Sequence, residues 1–150
     1  MEKHRKLIFG LIASCILLFS TGVFSQETYS LSVEVKSLRN SEGKVLVAIY
    51  NKDGTVPDQK LEKYFKKKVT EIDSESAQVT FSNLPKARYA IFILHDENEN
   101  GKIDKRFLLP IEGVGYSNYK DLGLRNRPNF KNASFVLKED FSTEVKIIYK

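Results

Sequence analysis

Residues 88–95, RYAIFILH, run almost without a polar interruption, and that run constrains the fold more than any other feature of the chain. A strand with one face in water alternates apolar and polar side chains, whereas one that is apolar at both parities must be covered on both faces. The run therefore reads as a central strand. Around it, residues 29–36 alternate Leu31, Val33 and Val35 with Ser30, Ser32, Glu34 and Lys36, and residues 77–82 alternate Ala77, Val79 and Phe81 with Gln78, Thr80 and Ser82. Both read as half-buried strands. Residues 44–50 are β-branched and aromatic, and the Asn-Ser-Glu-Gly turn before them tolerates a reversal, so the first two strands read as a hairpin. Residues 133–137 and 143–149 read as closing strands.

Such short strands separated by turn signals predict an all-β fold, an antiparallel β-sandwich of about seven strands, rather than an α/β fold with helices between the strands. One helical patch is expected at 57–67. Pro57 suits an early helical position, Leu61, Tyr64 and Phe65 fall at helical spacing, and lysines gather toward the C-terminal end.

The N-terminus sets the expected compartment. Lys3, Arg5 and Lys6 precede the apolar run LIFGLIASCILLFSTGVFS, which ends among small residues, the order of a secretory signal peptide. Cleavage after Ser25 is expected, dividing the chain into a signal peptide at 1–25 and one β domain at 26–150 and exporting the product to the periplasm or the exterior. Gly10, Ser14, Ser20, Thr21 and Gly22 shorten the strongly apolar stretch below a membrane span. Ile12-Ala13-Ser14-Cys15 resembles a lipobox, but Ile16, Leu17, Leu18 and Phe19 continue the apolar run where a lipoprotein turns polar. After cleavage no cysteine is left, which removes disulfides, thiol chemistry and cysteine-ligated zinc.

Loss of Glu2, Lys3, Arg5 and Lys6 takes the net charge from +5 to +3. The longest basic run, Lys66-Lys67-Lys68, lies among Glu62, Glu71 and Asp73, so a nucleic-acid partner is not expected. Nor is membrane insertion once the leader is gone.

Chemistry concentrates in DENENGKID at 96–104. Asp96, Asn98, Asn100 and Asp104 stand at positions 1, 3, 5 and 9, Gly101 stands at the sharp turn in position 6, and Lys102 offers its backbone carbonyl at position 7. That spacing of oxygens suits Ca²⁺. The twelfth position is Phe107 rather than a bidentate Glu, which leaves a weak site, in the range of about 10⁻⁴ to 10⁻³ M, unless Glu112 folds back to supply a carboxylate. The competing reading is a metal-free turn whose Asp, Asn and Gly bond their own backbone. His95 has no triad partner and is expected to cap the central strand and orient the loop; no catalytic residue is assigned. Tyr116, Ser117, Asn118, Tyr119, Asn126, Arg127 and Asn129 form a polar-aromatic stretch that could line a sugar or peptide site.

Four segments carry a resemblance. Residues 81–89, FSNLPKARY, look like the corner of transthyretin-like and collagen-adhesin B-type sandwiches. Followed by HDENENGKID at 95–104, PIEGVGYSN at 110–118 and RPNFKNA at 127–133, they resemble the bacterial family known as domain of unknown function 2141. The resemblance implies a transthyretin-like sandwich behind a signal peptide and brings no activity with it. Ala87 stands where that corner usually has Gly. Together these features predict an exported, non-enzymatic β-sandwich that binds a protein partner or a surface glycan, its loops stiffened by Ca²⁺. The alternative is a structural accessory protein of the cell envelope.

Overall fold

A computed structural model of the chain describes residues 26–107 and 109–150. The expected signal peptide and Cys15 lie outside the described residues. Among the described residues, ten strands and one short helix follow in order: β1 (Thr28–Lys36), β2 (Lys44–Tyr50), β3 (Lys66–Thr70), β4 (Ala77–Pro85), β5 (Ala87–Asp96), β6 (Lys105–Arg106), β7 (Leu109–Pro110), β8 (Gly113–Tyr116), α1 (Phe130–Ala133), β9 (Phe135–Leu137) and β10 (Phe141–Lys146). The architecture is the expected all-β, sandwich-like one. One sheet has the order β10-β1-β4 and the other β3-β2-β5-β8, with β9 also pairing β5.

Two cores follow from this layering. Inward side chains of β1, β4 and β10 (Leu31, Val33, Val79, Phe81, Val145) meet those of β2 and β5 (Val45, Val47, Tyr89, Ile91, Ile93) between the sheets. The opposite parity of β2 and β5 (Leu46, Ala48, Ala90, Phe92, Leu94) is covered by Val56, Leu61, Tyr116, Tyr119, Phe130 and Ala133. Residues 88–95 are apolar at both parities because β5 lies between two cores.

The strands at 29–36 and 44–50 do not form the expected hairpin. β1 pairs β4 and β10, whereas β2 pairs β3 and β5. Burial sorts them: β1 has one wet face, while β2 is buried from Val45 to Tyr50 and fits only the sheet that is covered twice. The turn at 38–43 therefore crosses between sheets. Pro85 and Ala87 make a second crossing, pinned by the Tyr89 hydroxyl donating to the Pro85 carbonyl at 3.0 Å, as in a tyrosine corner. The sandwich is also not purely antiparallel, because β1 and β10 run parallel.

The helix expected at 57–67 is absent, and the short helix lies at α1 instead. The buried Asp58 carboxylate accepts the Lys63 N–H at 2.7 Å and the Tyr50 hydroxyl at 3.3 Å, diverting a donor that a helix would direct to residue 59. Leu61 takes a left-handed φ of 55°, and the Phe65 N–H reaches the Ile49 carbonyl, drawing the chain into β3. Lys66 and Lys68 then lie on an edge strand, where charge discourages further pairing. Their ammonium groups donate to the Ser82 and Thr80 carbonyls of the other sheet.

Candidate functional site

β5 ends at Asp96, and the chain turns directly into the loop at 97–104. Asp96 is buried. One carboxylate oxygen accepts the Asn100 N–H at 3.1 Å, and the other accepts the Gly101 N–H at 2.8 Å. Asn98 Oδ1 also accepts the Asn100 N–H, and Asn100 Oδ1 accepts the Lys102 N–H at 2.8 Å. Gly101 supplies the reversal with φ 71°, a conformation glycine adopts without the steric cost a side chain brings. Asp104 Oδ2 receives the Asn98 and Asn100 amide groups at 2.7 and 2.8 Å. The structure thus gathers the side chains of Asp96, Asn98, Asn100 and Asp104 into one hydrogen-bonded knot and ties Lys102 to it through its N–H.

Glu112 completes the neighbourhood. It is 4 % exposed, and its Oε2 accepts the Asp104 N–H at 3.1 Å. Its Oε1 is buried with no hydrogen-bond partner among the described residues. Burial pushes the Glu112 carboxyl up from its ordinary range; the Asp104 and Asp96 charges add to the rise, and the Asp104 and Glu97 N–H groups oppose it. A buried carboxylate short of one partner is disfavoured in its charged form. Among the described residues no three His, Cys, Asp or Glu side chains converge closely enough to hold a metal by themselves. Any cation here would need the amide and backbone oxygens too.

A second layer, which sequence reasoning missed, holds the loop from behind. Glu97 takes the Arg39 guanidinium through both oxygens and the Asn40 amide at 2.7 Å, and this pairing with Arg39 draws its carboxyl below the ordinary range. His95 is fully buried. Its Nε2 lies 2.8 Å from the Glu42 carbonyl and its Nδ1 2.6 Å from the Tyr149 hydroxyl. A carbonyl only accepts, so Nε2 carries the proton and Nδ1 accepts from Tyr149, whose oxygen in turn accepts the Arg39 N–H at 3.1 Å. Both ring nitrogens are therefore engaged in holding β5, the turn at 38–43 and the C-terminal segment together, and neither bonds the 97–104 loop that His95 is expected from the sequence to orient. Gly43 is required at that junction: a Cβ there would overlap the Asp96 carbonyl and the Glu97 backbone.

The polar-aromatic stretch divides between buried and exposed side chains, Asn118 and Arg127 being exposed. Tyr116, Ser117 and Tyr119 are buried. Ser117 donates to the Ala133 carbonyl and accepts the Ile91 N–H, tying the end of β8 to β5 and to the last residue of α1. The Asn118 amide donates to the Asn132 and Ala133 carbonyls, Asn126 binds Asp121, and the Tyr119 hydroxyl donates to the Arg127 carbonyl while accepting the Asn129 N–H. These groups stabilise the cover over the second core.

Compared with known proteins, residues 33–146 match the family model described as an uncharacterised protein conserved in bacteria, domain of unknown function 2141. No curated protein and no solved structure matches the chain.

Proposed function

From the premise that the chain belongs to this family of uncharacterised bacterial proteins, whose description names no activity, we propose that it is an exported, non-enzymatic β-sandwich that binds a partner through loops fixed by one weakly held Ca²⁺. The carrying observation is the buried, unpartnered Glu112 Oε1 beside the Asp96–Asp104 loop. A hard cation taking oxygens from Asp96, Asn98, Asn100, the Lys102 carbonyl, Asp104 and Glu112 would satisfy that oxygen and offset the repulsion of three carboxylates. Coordination through Asn98 and Asn100 would require their amides to turn their oxygens toward the ion, away from the bonds they now donate to Asp104. Those same bonds favour the metal-free turn as the second reading.

Thermal melting separates the two. A cation that binds only the folded state stabilises it by RT ln(1 + [Ca²⁺]/Kd), about 2.7 kcal/mol at 100 times Kd, which amounts to several degrees for a domain of this size. Wild type should gain this and Asp96→Ala should lose it. Glu99→Ala should retain it, since Glu99 is exposed and pairs with Lys44. No shift for wild type at about 10–100 mM Ca²⁺, 100 times a Kd of about 10⁻⁴ to 10⁻³ M, would leave the metal-free turn.

A further inference from the structure

The segment after the loop is a two-stranded finger, β6 paired with β7, and it leaves large apolar side chains in water. Phe107 is 93 % exposed, Leu109 60 % and Ile111 46 %. Phe107 also takes a left-handed φ of 59°, a conformation that disfavours residues with a Cβ and that glycine or asparagine would adopt more readily. A phenylalanine there gains nothing from the fold in return, because its ring has almost no protein neighbours. Cations flank it in sequence: Lys102, Lys105 and Arg106 are exposed, against a single carboxylate, Asp104, between 102 and 111.

The same chemistry recurs in a second loop. Leu124 is 85 % exposed, and Lys120, Arg125 and Arg127 flank it against the single Asp121. Both loops ride on the same layer, since Ile103 and Leu122 pack on the core that covers the outer face of the β2–β5 sheet. Both exposed apolar tips thus carry cations beside them in sequence. They meet the requirements of an anionic bilayer, where a few apolar side chains enter the headgroup boundary and lysine and arginine pair with lipid phosphates.

We infer that the Phe107 finger and the Leu124 loop dock the protein peripherally on an anionic lipid surface. This names a partner for the binding module proposed above and rests on that reading, but it does not require the Ca²⁺ site. No helix among the described residues is long and apolar enough to cross a membrane, so the contact is superficial.

The chain contains no tryptophan, so Phe107→Trp creates a single fluorescent reporter at the tip. On vesicles rich in phosphatidylglycerol its emission should shift to the blue, and on purely phosphatidylcholine vesicles it should not. Phe141→Trp, at the edge of the other sheet, should stay unshifted on both. Adding Lys105→Gln and Arg106→Gln to the reporter protein should weaken binding about 30-fold, and Arg106→Gln alone, which spares the Lys105 bond to Gln59, about 5-fold. Matched melting temperatures establish that each variant is folded. Every titration is run in Ca²⁺ and again in chelator, so failure of the calcium site leaves the lipid result readable. An unmoved indole at 107, an equal shift on neutral vesicles, or binding indifferent to the loss of cations would overturn the inference; a protein partner for this face would give the first of these.

Discussion

Glu112 is buried with one oxygen lacking a partner and with the Asp96 and Asp104 charges nearby, so its ionised form opposes the fold. Its folded pKa is raised, which means the native state holds the proton more tightly than the unfolded chain. The contribution of Glu112 to stability without Ca²⁺ is then fully present below the unfolded pKa and is lost as pH rises through the raised folded value. Glu112→Gln should therefore raise the melting temperature at neutral pH in chelator and flatten that pH dependence, while shrinking the gain from Ca²⁺. Melting curves from pH 4 to 8 test this, and a glutamine variant less stable in chelator would contradict it. The loop residues were legible in the sequence because their oxygens recur at alternate positions within nine residues, and Glu112 was nameable as an additional carboxylate. Arg39 and Asn40 were not, because they meet Glu97 from 58 and 57 residues away and leave no local periodicity.

At the scale of elements, a strand's pattern told how many of its faces are covered more reliably than which strand it pairs. The bounds of β2 and the two-sided burial of β5 follow directly from their side chains. The sheet crossing at 38–43 does not, because a turn of Asn, Ser and Gly serves a hairpin and a crossing equally well. The segment at 57–67 imitates helical spacing, yet Asp58 and the open edge of β2 compete for its backbone and win. Leu46→Ala on the second core should cost about 2–5 kcal/mol, whereas Glu34→Ala on the wet face of β1 should stay within about 0.5 kcal/mol; denaturant titration compares them, and equal costs would refute the two-core description. Tyr149→Phe removes the hydroxyl shared by His95 Nδ1 and the Arg39 N–H and should destabilise by about 1–3 kcal/mol, read in the same titration.

Over the whole molecule, rigidity should follow the layers. β5 pairs β2 along one edge and β8 and β9 along the other and is packed on both faces, so the amides of Ala90, Phe92 and Ile93 should be among the slowest to exchange. Those of the Phe107 finger and the Leu124 loop should be among the fastest. Fast exchange in β5 would contradict the packing account. Between β5 and the exposed side chains of Phe107 and Leu124 stands the 96–104 loop, backed by His95, Tyr149, Arg39 and Gly43; its oxygens together with Glu112 are proposed to hold Ca²⁺. Titration calorimetry of the purified protein with CaCl₂ tests this most directly. One site with Kd of about 10⁻⁴ to 10⁻³ M is expected, abolished in Asp96→Ala and weakened in Glu112→Gln; no heat from the wild-type protein at millimolar Ca²⁺, or a response that survives Asp96→Ala, would rule the site out.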